Sequence, residues 1–180
     1  AQELVRMLKP CGGRAYLHAS YRGPLTRLQE SGLALQDAGG DRILVTRGQL
    51  PGAGTWTHHF AEPGNTAAGD DTAAAGPLGP LWYGEPGPTR LPDTHFETHA
   101  PLSAAGRMFI VTETGVAAYD TYNGLFLWER ALPESYRKGV DNSGGNLALS
   151  AAGLFVALSN ECRLFDAATG EPRRVYALPH

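Results

Sequence analysis

The chain is poor in the groups that announce chemistry. It holds two cysteines in 180 residues, Cys11 and Cys162. They read as two small buried or free thiols in different domains, with one disulfide between them as the alternative. Neither has a histidine beside it to lower its pKa, and no Cys-Cys pair occurs. No Gly-x-Ser-x-Gly elbow is present, so no serine is placed as a nucleophile. No run nears the roughly 18 apolar residues that carry a helix across a bilayer. No initiator methionine and no signal sequence open the chain. Ala1-Gln2-Glu3-Leu4-Val5 reads as mid-helix, which marks an internal piece of a longer chain and leaves the compartment open. A basic platform is missing too. Residues 1–54 carry seven Lys/Arg against four Asp/Glu, and residues 55–180 carry eight against fourteen, so nucleic acid is not an expected partner.

Glycine and proline, by contrast, are plentiful: 23 and 13 residues. They suit many short strands joined by turns, and the length suits about one or two domains. The chain also repeats itself. Leu102-Ser103-Ala104-Ala105-Gly106 returns 47 residues later as Leu149-Ser150-Ala151-Ala152-Gly153. Asp120-Thr121-Tyr122-Asn123-Gly124 returns 46 residues later as Asp166-Ala167-Ala168-Thr169-Gly170, and Trp82 and Trp128 share that spacing of 46. A period in the forties predicts propeller blades of four strands each.

Each copy reads as strands. Met108–Thr112, Val116–Tyr119 and Leu125–Trp128 are short apolar runs broken by Thr114-Gly115 and by the Asp-x-x-x-Gly pentad. The second copy offers Leu154–Leu158 and Cys162–Phe165. Runs this short, bounded by Gly, Asp and Asn, favour strand over helix. In the pentad, Asp can accept hydrogen bonds from nearby backbone N–H groups and Gly supplies a positive φ.

The first fifty residues read differently. Leu4, Val5, Met7 and Leu8 give one side of a short helix that Pro10 ends, and Gly12-Gly13 turns the chain into a strand at Arg14–His18. Leu25, Leu28 and, across Ser31-Gly32, Leu33 mark an amphipathic helix with a glycine stop. Leu33–Gln36 and Arg42–Thr46 are two strands hinged at Asp37–Gly40. Helix, Leu8-Lys9-Pro10-Cys11-Gly12-Gly13, strand, helix and strand pair together resemble the C-terminal end of a class I S-adenosylmethionine-dependent methyltransferase, a Rossmann-like fold. There an "LKPGG" turn precedes the fifth strand and a final hairpin closes the sheet; Cys11 is one residue extra. The resemblance covers residues 1–47. It implies that the cofactor loop of that family lies upstream of Ala1, so this piece neither binds the cofactor nor transfers a methyl group.

Gly48–Gly54 is a Gly/Pro linker. After it, Trp56, Phe60 and Thr66 match the lead-in of propellers of the pyrroloquinoline-quinone-like (quinoprotein-like) repeat family. Asp120, Gly124 and Trp128, then Asp166, Ala167, Thr169 and Gly170, match its Asp-Ala-x-Thr-Gly-x-x-x-Trp repeat. Arg174 stands where the second copy's Trp belongs. The resemblance implies that Trp82 and Trp128 fill the gap between neighbouring sheets, and that Asp120, Gly124, Asp166 and Gly170 build the turns. The family's dehydrogenases hold quinone and calcium with residues spread round the ring; none in residues 55–180 is assignable to that task. The family's setting implies cell envelope or periplasm, whereas the methyltransferase-like neighbour implies cytoplasm.

Other candidates weigh less. His95 and His99 have the spacing of a zinc helix, but Glu97 is misplaced for His-Glu-x-x-His, and Pro92 and Pro101 oppose a helix. With His58 and His59 they read as polar loop residues on the funnel face. Asp70-Asp71 reads as solvated. Asp141–Asn146 has one carboxylate where a calcium loop needs several, though it could face the axis and touch a ligand.

The expected fold is therefore mostly β. It comprises an α/β methyltransferase-like tail over 1–47, a linker over 48–54, and an incomplete propeller over 55–180 with a lead-in and about two blades. No catalytic, cofactor or metal residue is expected. The expected function is a non-catalytic binding or assembly scaffold. Its partners are the remaining blades, the upstream methyltransferase-like half, and a protein. The alternatives are a methyltransferase whose catalytic half lies upstream, with S-adenosylmethionine as cofactor, and a quinone-dependent dehydrogenase.

Overall fold

A computed structural model describes residues 2–28, 31–84, 90–91, 99–135 and 145–178. The chain is mostly β, with three antiparallel sheets of three, four and four strands and two short helices. It divides into two compact units. One is Ala1–Ala53 with Asp71–Leu78; the other is Gly54–Asp70 with Gly79–His180.

The first unit runs α1 (Gln2–Met7), β1 (Arg14–His18), α2 (Arg22–Thr26), β2 (Leu33–Asp37) and β3 (Arg42–Arg47). The last strand lies between the other two, in the order β1-β3-β2. Its alternation explains the place: Ile43 and Val45 are fully buried with Leu8, Leu25 and Leu33, as a half-buried strand of β-branched residues requires. Two expectations are corrected. Met7 is 70 % exposed rather than on the inner side of α1. The second helix is one short stretch and ends before Leu28, which continues in three-residue turns through Leu28 N–H to Leu25 O and Ser31 N–H to Leu28 O. Gly23 and Pro24 inside it are poor helix formers, and Thr26 Oγ1 bonds back to the Arg22 carbonyl.

The turn between α1 and β1 is pinned to the end of β3. Cys11 N–H donates to Gly48 O, Gly12 N–H to Arg47 O, and Arg47 N–H to Gly13 O, each at 2.8 Å. The extra residue, Cys11, takes a left-handed φ of 57°. Gly13 is required by proximity: a Cβ there would come within 2.7 Å of the Lys9 nitrogen.

The second unit contains two four-stranded meanders. The first is β4 (Leu102–Ala104), β5 (Arg107–Val111), β6 (Gly115–Asp120) and β7 (Phe126–Ala131). The second is β8 (Leu147–Ser150), β9 (Gly153–Ala157), β10 (Glu161–Phe165) and β11 (Pro172–Ala177). In each, neighbours in sequence are neighbours in the sheet. The two do not close into a ring.

Their registers superpose at a constant offset of 46. Phe109 pairs with Ala118, Ala118 with Trp128 and Val116 with Arg130. The second meander pairs Phe155 with Leu164, Leu164 with Arg174 and Cys162 with Tyr176. Even the bulge recurs, at Ala118/Tyr119 and at Leu164/Phe165. The Leu-Ser-Ala-Ala-Gly match at 47 is therefore one residue out of structural register. Gly106 sits in the β4–β5 turn, whereas Gly153 opens β9, where a Cβ would collide with the Phe165 carbonyl.

The faces of the meanders meet through one core. Leu102, Phe109, Val111, Val116, Ala118 and Trp128 come from the first; Leu147, Leu149, Leu154, Val156 and Phe165 come from the second. The lead-in ties their first strands together. Trp56 exchanges two backbone hydrogen bonds with Ser103 at 2.7 and 2.8 Å, and Thr57 O accepts from Leu149 N–H at 2.9 Å. The other face of the first meander buries Ile110, Ala117 and Tyr119.

Candidate functional site

The feature that recurs is an indole laid over a turn. Asp120–Gly124 and Asp166–Gly170 fold alike. Gly124 N–H donates to Asp120 O and Gly170 N–H to Asp166 O, at 2.9 and 2.8 Å. The Asp120 and Asp166 amides close the other side by donating to Leu125 O and Glu171 O, both at 2.8 Å. Both glycines have φ of 70°, a conformation L side chains avoid. The aspartates hold the backbone inside. Asp120 Oδ1 accepts from Tyr122 N–H at 2.9 Å, and Asp166 Oδ1 accepts from Ala168 and Thr169 N–H at 2.7 and 2.9 Å.

Trp82 covers the first turn and Trp128 the second. Trp82 Nε1 donates to Thr121 O at 2.8 Å; Trp128 Nε1 donates to Ala167 O at 3.3 Å. Each acceptor follows the turn aspartate. Each glycine lies under the ring: a Cβ on Gly124 would reach Trp82 Cζ3 at 2.7 Å, and one on Gly170 would reach Trp128 Cδ2 at 2.6 Å. Trp128 is buried at 6 % exposure, a burial that contributes about 2–3 kcal/mol. Trp82 makes its contact from an irregular segment outside any strand.

A second hold was not foreseen from the sequence. Arg130, two residues beyond Trp128 on the same face of β7, donates Nε to Gly170 O at 2.6 Å and Nη2 to Thr169 O at 3.2 Å. It also pairs with Glu171 at 2.5 Å. Gly84 stands at the equivalent place after Trp82 and offers no such group. Arg90 pairs with Glu129 on β7 at 3.2 Å and lies 4.6 Å over the Phe126 ring. The signal for Arg130 was the period of two along a strand.

Electrostatics at the second turn favour a charged Asp166. Backbone N–H groups of Thr169 and Ala168, then the Arg173 side chain, hold the Asp166 carboxyl below the usual aspartate range. Burial pushes the Cys162 thiol up, against a smaller opposite pull from the Val156 backbone.

Among the described residues, the remaining candidates do not assemble into a catalytic set. Trp56 packs on the core, while Phe60 is 38 % exposed. His59 lies 5.6 Å from His99, ring to ring, and accepts from Ala100 N–H through Nδ1 at 3.3 Å. His58 Nδ1 meets Thr57 Oγ1 at 2.9 Å. Among the described residues no three His, Cys, Asp or Glu side chains gather as a metal site. Asp70 and Asp71 are exposed but engaged, Asp70 with Thr55 N–H at 2.7 Å and Asp71 with Ala73 and Ala74 N–H at 2.9 and 2.7 Å. Neither cysteine forms a disulfide. His95, Glu97 and residues 141–144 lie outside the described residues. In the first unit an open cleft of about 500 Å³ is lined by Tyr16, His18, Asp41 and Arg42 among others.

Comparison with protein families and with curated proteins finds no match for this chain.

Proposed function

We propose that residues 55–180 are part of a pyrroloquinoline-quinone-like β-propeller serving as a non-catalytic binding and assembly scaffold within a larger multidomain protein. The observation that carries this reading is the repeated indole-on-turn contact, Trp82 on Gly124 and Trp128 on Gly170, at a register offset of 46. Two sheets of one register, stacked with one face of the first against the opposite face of the second, support a reading as two blades of one repeat. The contacts that recur serve sheet packing, and that favours a scaffold over an enzyme.

A thermal-shift measurement tests the reading. The melting temperature is expected to stay unchanged with pyrroloquinoline quinone and calcium together. A rise of several degrees would overturn the scaffold in favour of a quinone-dependent dehydrogenase.

The first unit supports a second reading for its own residues. The Leu8–Gly13 turn leads into β1, and the hairpin β2–β3 docks beside it with β3 innermost. This is the arrangement expected of a methyltransferase tail whose closing hairpin completes a sheet. Catalysis, if the parent chain performs it with S-adenosylmethionine, then belongs to residues upstream.

A further inference from the structure

The second meander repeats, on its outer face, the face that the first meander buries. At the offset of 46, Phe155 stands for Phe109, Cys162 for Val116 and Leu164 for Ala118. Phe109, Val116 and Ala118 are all but inaccessible beneath the second meander. Phe155 and Cys162 are half-buried, and neither belongs to the core between the meanders. The face continues an existing interface by one more step, and it is apolar where that interface is apolar.

The residues at the two positions that grip the turn in the first meander have changed kind in the second. In the first meander the flat ring comes first, Trp128, and the guanidinium second, Arg130. In the second the guanidinium comes first, Arg174, and the ring second, Tyr176. Leu164 pairs with Arg174 and Cys162 with Tyr176, as Ala118 does with Trp128 and Val116 with Arg130. The Arg174 guanidinium lies 4.8 Å from the centroid of the Tyr176 ring, which keeps the two as one unit. A guanidinium is planar and carries five donors, so it can both lie on a glycine and reach the carbonyl that the indole N–H reaches in the other two contacts.

We propose that the outer face of the second meander seats one further four-stranded sheet of this repeat, gripped at its Asp-x-x-x-Gly turn by Arg174 and Tyr176 in exchanged roles. This rests on the repeat reading above. A second copy of the chain is a poor occupant, because its Asp120–Gly124 and Asp166–Gly170 turns are already covered by Trp82 and Trp128.

The test extends the whole chain with a third meander, a copy of residues 145–178 carrying Cys162→Ser, and follows alkylation of the original Cys162. Cys11 serves as the internal reference, and tryptophan fluorescence reports that the second unit stays folded. Cys162 is expected to react at least tenfold more slowly in the extended chain. Arg174→Ala with Tyr176→Ala is expected to restore most of that reactivity, while Arg174→Trp with Tyr176→Arg keeps the protection. Protection that survives the double alanine change overturns the grip, and no protection at all overturns the seat. Protection that grows with concentration in the unextended chain makes a second copy the occupant and also overturns the proposal. The repeat reading fails separately: it falls if Gly170→Val leaves the stability of the unextended chain untouched.

Discussion

The ring of Trp128 lies against Gly170 so closely that a Cβ on the glycine would stand 2.6 Å from Cδ2 and 2.7 Å from Cε3. Space and backbone conformation both demand glycine there, since φ is 70°. Gly170→Val is expected to destabilise the second unit by about 2–4 kcal/mol, from left-handed strain and overpacking together. Urea denaturation followed by tryptophan fluorescence checks it. Gly23→Ala is the control. It meets nothing within 4 Å and has ordinary helical φ, so it should be neutral or stabilising by a few tenths of a kcal/mol.

Trp128→Ala is expected to cost about 3–5 kcal/mol. Trp128→Phe should cost less, because it keeps an aromatic ring and loses chiefly the hydrogen bond to Ala167 O, worth about 0.5–1.5 kcal/mol. An equal loss for both variants would mean that the indole N–H, rather than ring burial, holds the seam.

Arg130 holds the same turn by geometry more than by charge. Its pair with Glu171 is partly exposed, with side chains 33 % and 69 % accessible, so Glu171→Gln should cost about 0–1 kcal/mol. Arg130→Lys is expected to behave nearly like Arg130→Ala, since an ammonium cannot reach the Gly170 and Thr169 carbonyls as a fork. Denaturation midpoints at low and high salt separate the two contributions.

Acid should loosen the second turn. The Asp166 carboxyl is held below its ordinary value in the folded chain by the Thr169 and Ala168 amides and by Arg173. A depressed pKa gives stability that is fully present above the unfolded value, about 3.9, and is lost as pH falls through the folded value. Asp166→Asn is therefore expected to be less stable at pH 7. Its stability should also fall less steeply than that of the unaltered chain below about pH 4. Parallel pH profiles of the denaturation midpoint would show whether the slopes differ.

In the first unit, Arg47 is buried at 9 % exposure and donates Nη1 to the Leu8 carbonyl at 2.7 Å and to the Val5 carbonyl. Val5 lies in the last turn of α1 and Leu8 just past its end, where carbonyls have no partner within the helix. Arg47→Met keeps the bulk and removes the donors; it should cost about 1–3 kcal/mol and expose the α1 region to proteolysis. Unchanged protease resistance would argue that packing through Leu8 alone holds the helix.

The sequence makes the strands easy to find where short apolar runs stand between glycine, aspartate and asparagine, as at Val116–Tyr119 and Cys162–Phe165. It gave a false register at Leu149–Gly153, because five similar residues outweighed the spacing of everything around them. Pairing decides register, and Ser150 opposite Gly153 corresponds to Ala104 opposite Arg107. The short second helix was hidden for a different reason: Leu25 and Leu28 have helical spacing, but Gly23, Pro24 and Thr26 carry no apolar signal and weaken the backbone between them. Trp128 and Gly170 were visible as a pattern. Arg130 and Arg47 were not, because their partners are main-chain carbonyls, and only the strand period of two from Trp128 points to Arg130.

Each indole precedes the glycine it covers by 42 residues, Trp82 before Gly124 and Trp128 before Gly170. The order has a cost during synthesis. At about 5–20 residues per second, an emerging ring waits some seconds for its cover to leave the ribosome. Burial is thereby ordered along the chain: Trp82 stays bare until the Asp120–Gly124 turn has emerged, and Trp128 until the Asp166–Gly170 turn has.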